Sequence, residues 1–141
     1  MAQSRSTPSK KPVKNDTRLR FTLEQANRAL PYVRRVVQDI VKEHNRAVGV
    51  QAAVNAATGT DKAVRQTEFE LCVDRLQGLN DELQLVGVEL KDYATGLVDF
   101  VAKHKGRDIY LCWSLGEEKI THFHELSAGF AGRLPVEQLA E

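Results

Sequence analysis

Residues 108–125 read D-I-Y-L-C-W-S-L-G-E-E-K-I-T-H-F-H-E, and their period decides the fold. Asp108 to Leu115 is a β-rich run, Gly116-Glu117-Glu118 carries turn chemistry, and Lys119 to Glu125 alternates apolar with polar residues. Two strand-like runs joined by a short turn predict an antiparallel hairpin. Working back, Lys103-His104-Lys105-Gly106 is another turn and Leu97 to Val101 alternates in part. The three runs together predict a three-stranded antiparallel meander.

The chain before this segment has a helical period. Thr22 caps a helix start and Gln25, three residues on, completes a capping box, with Phe21 placed to staple onto Ala26. Leu23, Ala26, Leu30, Val33, Val37, Ile40, Val41 and Val48 then form one face with spacings of three and four. Pro31 lies inside that stripe and is expected to kink the helix, but the stripe resumes in phase. One bent helix is therefore predicted over 23 to about 56. Thr58-Gly59-Thr60-Asp61 is the turn, and a second helix runs from about 62 to 86. Its face of Phe69, Cys72, Leu76, Leu79, Leu83 and Val86 is heptad-like, as in a coiled coil. A short turn makes the two helices antiparallel neighbours. Val86 to Leu90 leads out of the second helix, and Gly129 to Pro135 is an irregular arm.

The fold class is thus α+β: a kinked, long antiparallel helical hairpin, a small three-stranded antiparallel sheet and an irregular C-terminal arm. Residues 1–20 are read as a disordered basic tail. Residues 21–141 are read as a single domain, with the hairpin at 21–86 and the sheet and arm at 87–135.

Charge supports that division. Six of the 20 basic residues but only one of the 19 acids lie in residues 1–20, which leaves the remainder at −4. The body has no basic face of the kind that predicts nucleic-acid binding. The tail, almost without apolar residues, cannot offset its ordering entropy, and a weak, salt-sensitive nucleic-acid contact is the most it implies. It has no apolar h-region, and no window approaches the roughly 18 apolar residues of a membrane span. No membrane partner is therefore expected, and the cytoplasm is the expected location. Cys72 and Cys112 form no CxxC pair, sit in apolar surroundings and read as small hydrophobes in a reducing compartment.

Several motifs together resemble a known family. They are F-T-L-E-Q-A-N-R-A-L-P (21–31), G-V-E-L-K-D (87–92), G-L-V-D-F (96–100), Y-L-C-W-S-L-G-E (110–117) and H-E-L-S-A-G-F-A-G-R (124–133). The chain resembles the bacterial family named domain of unknown function 2203 over roughly residues 21–135. The resemblance implies a small bacterial cytosolic domain and no established activity. It places the characteristic polar positions on Asp92, Asp99, Trp113, Glu117, His124 and Arg133, and lends less weight to His122.

His122-Phe123-His124-Glu125 raises the question of a metal, because alternate strand residues point the same way. Pairing Trp113 with Ile120 across the Gly116 turn sets His122 opposite Leu111 and His124 opposite Ile109. Val98, Phe100, Ile109, Leu111, Trp113, Ile120, His122 and His124 then share one face. Leu97, Asp99, Val101, Tyr110, Cys112, Thr121, Phe123 and Glu125 share the other. This separates Cys112 from both histidines, subject to a one-residue slip. The expectation is ordinary hydrogen-bonded histidines and no cofactor, with His122 and His124 as the alternative metal ligands.

Asp99 interrupts an apolar run and needs a partner, and Arg133 is the expected one if the arm folds back. Asp92 and Glu117 flank turns, where acids serve local hydrogen bonding. Ser114 lacks a nucleophile-elbow setting. Gly129 to Arg133 is not a phosphate loop, because it follows no strand and opens no helix.

The leading functional expectation is an interaction or assembly module, homodimeric through its helices. Helices of this length outrun a three-stranded sheet. The alternative is a small-molecule or metal-binding protein, or an enzyme, with a polar site around Asp99, His124, Glu125 and Arg133. Asp92, Trp113 and Glu117 complete the ligand-binding candidates.

Overall fold

A computed structural model of the chain describes residues 20–139. The basic tail through residue 19, and any nucleic-acid contact it makes, lie outside the described residues.

Helix α1 spans Leu23–Ala56 and begins at the expected capping box. The Gln25 N–H donates to Thr22 Oγ1 at 3.1 Å, and the Thr22 N–H donates to Gln25 Oε1 at 3.0 Å. The helix runs on through Pro31, which faces solvent. Helix α2 spans Gly59–Leu85. The turn is shorter than expected: only Ala57 and Thr58 lie between the helices, because Gly59 itself takes a positive φ of 60°. Ion pairs of Arg75 with Glu43 at 3.0 Å and Arg46 with Glu68 at 3.5 Å cross between the helices.

The sheet is antiparallel with five strands in sequential order, two more than expected. They are β1 (Val88–Asp92), β2 (Leu97–His104), β3 (Arg107–Ser114), β4 (His122–Glu125) and β5 (Leu134–Pro135). Strand β1 is the segment read as an exit from α2. Strand β5 is the end of the arm, which pairs with β4 at the sheet edge. Phe21 adds one bridge beside β2, donating its N–H to the Val101 carbonyl at 2.9 Å, and its ring meets Phe100 edge-on at 5.2 Å.

One sheet face and the sheet-proximal half of the hairpin make the main core. Val88, Val98, Phe100, Ala102, Ile109, Leu111, Trp113 and Phe123 pack with Ala26, Leu30, Val33, Val37, Ile40 and Leu83. A smaller cluster of Ala47, Val50, Val54 and Cys72 holds the distal hairpin. Gly96, in the β1–β2 turn, sits hard against α1. Its φ is +76°, and a Cβ there would lie 2.8 Å from a Val37 methyl and 2.9 Å from Leu115 Cβ.

The β2–β3 register is the expected one, with Val98 opposite Trp113 and Phe100 opposite Leu111. The β3–β4 register is not. Cys112 faces His122 and Tyr110 faces His124, a one-residue slip from the pairing expected from sequence. The cause is the connection. It is a loop over residues 115–121 rather than a tight turn, so Ile120 is not in a strand at all. Ile120 is buried as the loop's plug, and its N–H donates to Asn27 Oδ1 on α1 at 2.9 Å. The Trp113 indole N–H donates to the Glu117 carbonyl at 3.0 Å and closes the loop. Phe123 takes the core position opposite Leu111, which turns His122 and His124 to the other face.

Candidate functional site

That other face, turned away from the helices, carries the chemistry. Glu89, Asp99, Cys112 and His122 lie in one row across β1 to β4, and Val101, Tyr110 and His124 lie in the next. Asp99 and His124 belong to strands separated by β3, roughly 10 Å apart at ordinary strand spacing. Their side chains reach over β3 and meet, with His124 Nε2 3.1 Å from Asp99 Oδ2. Asp99, Cys112 and His124 are only 4%, 3% and 5% exposed, although among the described residues the face carries no second layer of helix. The Tyr110 ring lies against His124 at 5.2 Å, and the Lys91 ammonium lies over Tyr110 at 5.8 Å.

The hydrogen bonds define the protons. His124 Nδ1 lies 2.8 Å from the Glu125 carbonyl oxygen, which only accepts, so Nδ1 carries hydrogen. The other nitrogen faces a carboxyl oxygen, and one proton is shared between Nε2 and Asp99 Oδ2. Burial pushes the Cys112 thiol well above its ordinary range, and the charge and hydrogen bond of Asp99 push it further, with Arg133 pulling weakly the other way. Cys112 therefore stays a thiol at neutral pH when no cation is bound. A nucleophilic cysteine needs a base positioned to take its proton. Here the thiol meets the acid, both imidazole nitrogens are committed to oxygen atoms, and nucleophilic catalysis by Cys112 is unsupported.

Cys112 also forms part of a cleft of about 660 Å³ whose other borders include Lys91, Ser114, His122, Phe130 and Arg133. Both acids of the cleft are already committed. Asp92 accepts from the Ala94 N–H at 3.0 Å and the Thr95 hydroxyl at 2.9 Å, and these bonds hold its carboxyl below the usual range. Glu117 accepts from the Ser114 N–H at 2.9 Å. Lys91 pairs with Glu89 at 3.2 Å. Burial pulls Lys91 down, but Glu89, Asp99 and Tyr110 together outweigh it and hold its ammonium above the ordinary range. The Arg133 guanidinium stacks on the Phe130 ring at 4.0 Å and has no carboxylate within ion-pair reach among the described residues. A second hollow of about 500 Å³, beside the start of α1, is mainly apolar, bordered by Leu23, Ile109 and Val136. It holds none of the buried ionisable side chains.

The residues singled out from sequence separate into three groups. Asp99 and His124 form the buried pair, and Arg133, Asp92 and Glu117 border the cleft. The expected Asp99–Arg133 pair is absent, since Asp99 is taken by His124 and Arg133 lies on Phe130. Trp113 is a core residue whose indole N–H ties the 115–121 loop, and it also borders the cleft. The Glu125 carboxylate pairs with Arg107 at 2.8 Å, and only its main-chain carbonyl serves the site. His122 hydrogen-bonds Thr121 and borders the cleft. Cys112 is the residue that the expected register set apart from the histidines. The signal lay in His-Phe-His-Glu itself, because the one apolar residue of a short alternating strand takes the core face and sends both histidines to the Cys112 side.

An α+β domain with a hairpin-backed sheet and a buried Asp–Cys–His cluster on the open face is the class that fold and site define. The chain belongs to the uncharacterized conserved protein family DUF2203, whose model matches residues 20–136. No curated protein and no solved structure matches the chain. Among the described residues no helix is long and apolar enough to cross a membrane.

Proposed function

We propose that this chain is a small-molecule-binding protein whose cleft on the open sheet face takes an anionic ligand. The observation that carries the reading is Arg133. Its guanidinium is held on the Phe130 ring at the border of the cleft, while each cleft acid accepts from a local N–H or O–H donor. An incoming carboxylate or phosphate meets a planar cation with no ion-pair partner among the described residues, able to bind it with two parallel hydrogen bonds. His122 and Ser114 add polar contacts from the cleft wall. The buried pair beneath fits a binding site, because burying ionisable groups costs several kcal/mol and rarely serves stability alone.

The test is thermal-shift and calorimetric titration with inorganic phosphate, pyrophosphate, citrate and malate as probes. At least one probe is expected to bind with submillimolar affinity, and Arg133→Gln to weaken it tenfold or more. Equal binding by wild type and Arg133→Gln, or no binding by any probe, rejects the reading. The unpaired, buried cysteines suit a reducing compartment, in keeping with a cytoplasmic protein.

A second reading, homodimerisation through α2, has its own support. Val64, Leu71 and Leu85 are exposed and fall on one seven-residue spacing along that helix. Sedimentation equilibrium tests it.

A further inference from the structure

Beneath the cleft a thiol, a carboxyl and an imidazole converge, the three side-chain donors that zinc-class cations take. The donor atoms of Asp99, Cys112 and His124 all lie within 4.8 Å of one another. Two donors bound tetrahedrally to zinc at about 2.0–2.3 Å stand roughly 3.3–3.6 Å apart. Asp99 Oδ2 and His124 Nε2, at 3.1 Å, are already close to that separation.

Two further observations point the same way. The first is the orientation of the imidazole. His124 commits Nδ1–H to the Glu125 carbonyl at 2.8 Å, which fixes the ring and presents Nε2 to the cluster. That is the outer contact by which metal-binding histidines are held. The second is charge. As thiolate, carboxylate and neutral imidazole the set carries −2, which a divalent cation cancels. A neutral assembly is the one least costly to bury in a site only a few per cent exposed.

From this geometry we infer that Asp99, Cys112 and His124 form a site for a thiophilic divalent transition metal of the zinc class, with its fourth coordination position open to the cleft. Cys112 belongs to both the cluster and the cleft border, which puts the exchangeable position on the cleft side. A thiolate ligand disfavours magnesium and calcium, which prefer oxygen donors. Three protein ligands and one exchangeable position is the arrangement of zinc sites that do chemistry, whereas structural sites are closed by four protein ligands.

The inference shares its location with the anion-binding reading but not its evidence, since none of the three ligands is Arg133. Binding takes the proton of the Cys112 thiol, because a bound cation deprotonates a coordinating thiol outright.

The experiment uses the full chain, stripped with a chelator and titrated with Co²⁺. We expect one equivalent to produce four-coordinate visible bands and a thiolate-to-cobalt charge-transfer band, and to be displaced by Zn²⁺. Cys112→Ser should abolish the charge-transfer band, and Cys72→Ser should retain it. Asp99→Asn and His124→Ala should weaken cobalt binding at least tenfold. Arg133→Gln should leave the cobalt spectrum intact even where it abolishes anion binding, which keeps the two readings separable. If His124→Ala does not fold, the wild-type spectrum and the serine variants decide. The absence of a stoichiometric band in wild type, its survival in Cys112→Ser, or its loss in Cys72→Ser overturns the inference.

Discussion

Asp99 sits in the middle of a sheet face, buried, where a carboxylate without a partner costs several kcal/mol. Its partner is His124, reached across β3, and not Arg133 on the arm. In chelator-containing buffer, Asp99→Asn and His124→Ala should each lower stability by about 3–5 kcal/mol, because either change strands a buried polar group. The double variant should cost less than the sum, by roughly 1–3 kcal/mol of coupling. Arg133→Gln, at an exposed position, should stay within about 0.5 kcal/mol of wild type. Chemical denaturation of the cycle decides, and strictly additive losses would remove the pair from the account. At this scale the sequence was half legible. Asp99 announced itself by breaking the apolar run Leu97-Val98-Asp99-Phe100. Its partner did not, because a contact spanning two strand spacings depends on a register that no local pattern near Asp99 carries.

At the scale of elements, legibility followed how local the determining contacts are. The start of α1 was readable because its capping box is closed by residues three apart. The β2–β3 hairpin was readable because Lys105-Gly106 makes a tight turn. The register of strand β4 was not, because it is set by the 115–121 loop, and that loop is held by α1. Asn27 Oδ1 accepts the Ile120 N–H from the far end of the chain, a contact 93 residues apart in sequence. Strand β1 was missed for a related reason: it follows α2 after only Val86 and Gly87, and its alternation is only five residues long. The loop contact is open to test. Asn27→Ala leaves a buried main-chain N–H without an acceptor and should cost about 1–3 kcal/mol. Asn27→Asp keeps an acceptor oxygen and should recover most of that loss. Amide exchange at Ile120 should accelerate in the alanine variant only. Equal stability of the two variants, with unchanged Ile120 exchange, would show that the side chain does not pin the loop.

For the whole molecule, the hairpin and the sheet divide the labour. At about 1.5 Å per residue, a 34-residue α1 is roughly 50 Å long, against about 20 Å for the sheet's five strands at usual spacing. The sheet covers only the proximal hairpin, and the distal part rests on the small cluster around Cys72. Helix α2 buries Cys72 and Leu83 and leaves Val64, Leu71 and Leu85 exposed at 60%, 50% and 79%. A single exposed leucine is ordinary. Three apolar residues at seven-residue spacing form a slowly drifting line along one helix face, suited to a second copy of the same helix. Gly78 holds the remaining place in that line, so the seam permits close approach there and contributes little apolar area. The wild-type chain should therefore sediment as a dimer at micromolar concentration. Leu71→Glu, which puts a charge in the middle of the seam, should sediment as a monomer with unchanged helical circular dichroism. Because the Asp99–Cys112–His124 cluster lies on the sheet face turned away from the helices, the same variant should still bind cobalt as the wild type does. A concentration-independent monomer mass for wild type would reject the dimer. Loss of cobalt binding on monomerisation would instead show that assembly and site are coupled through the sheet.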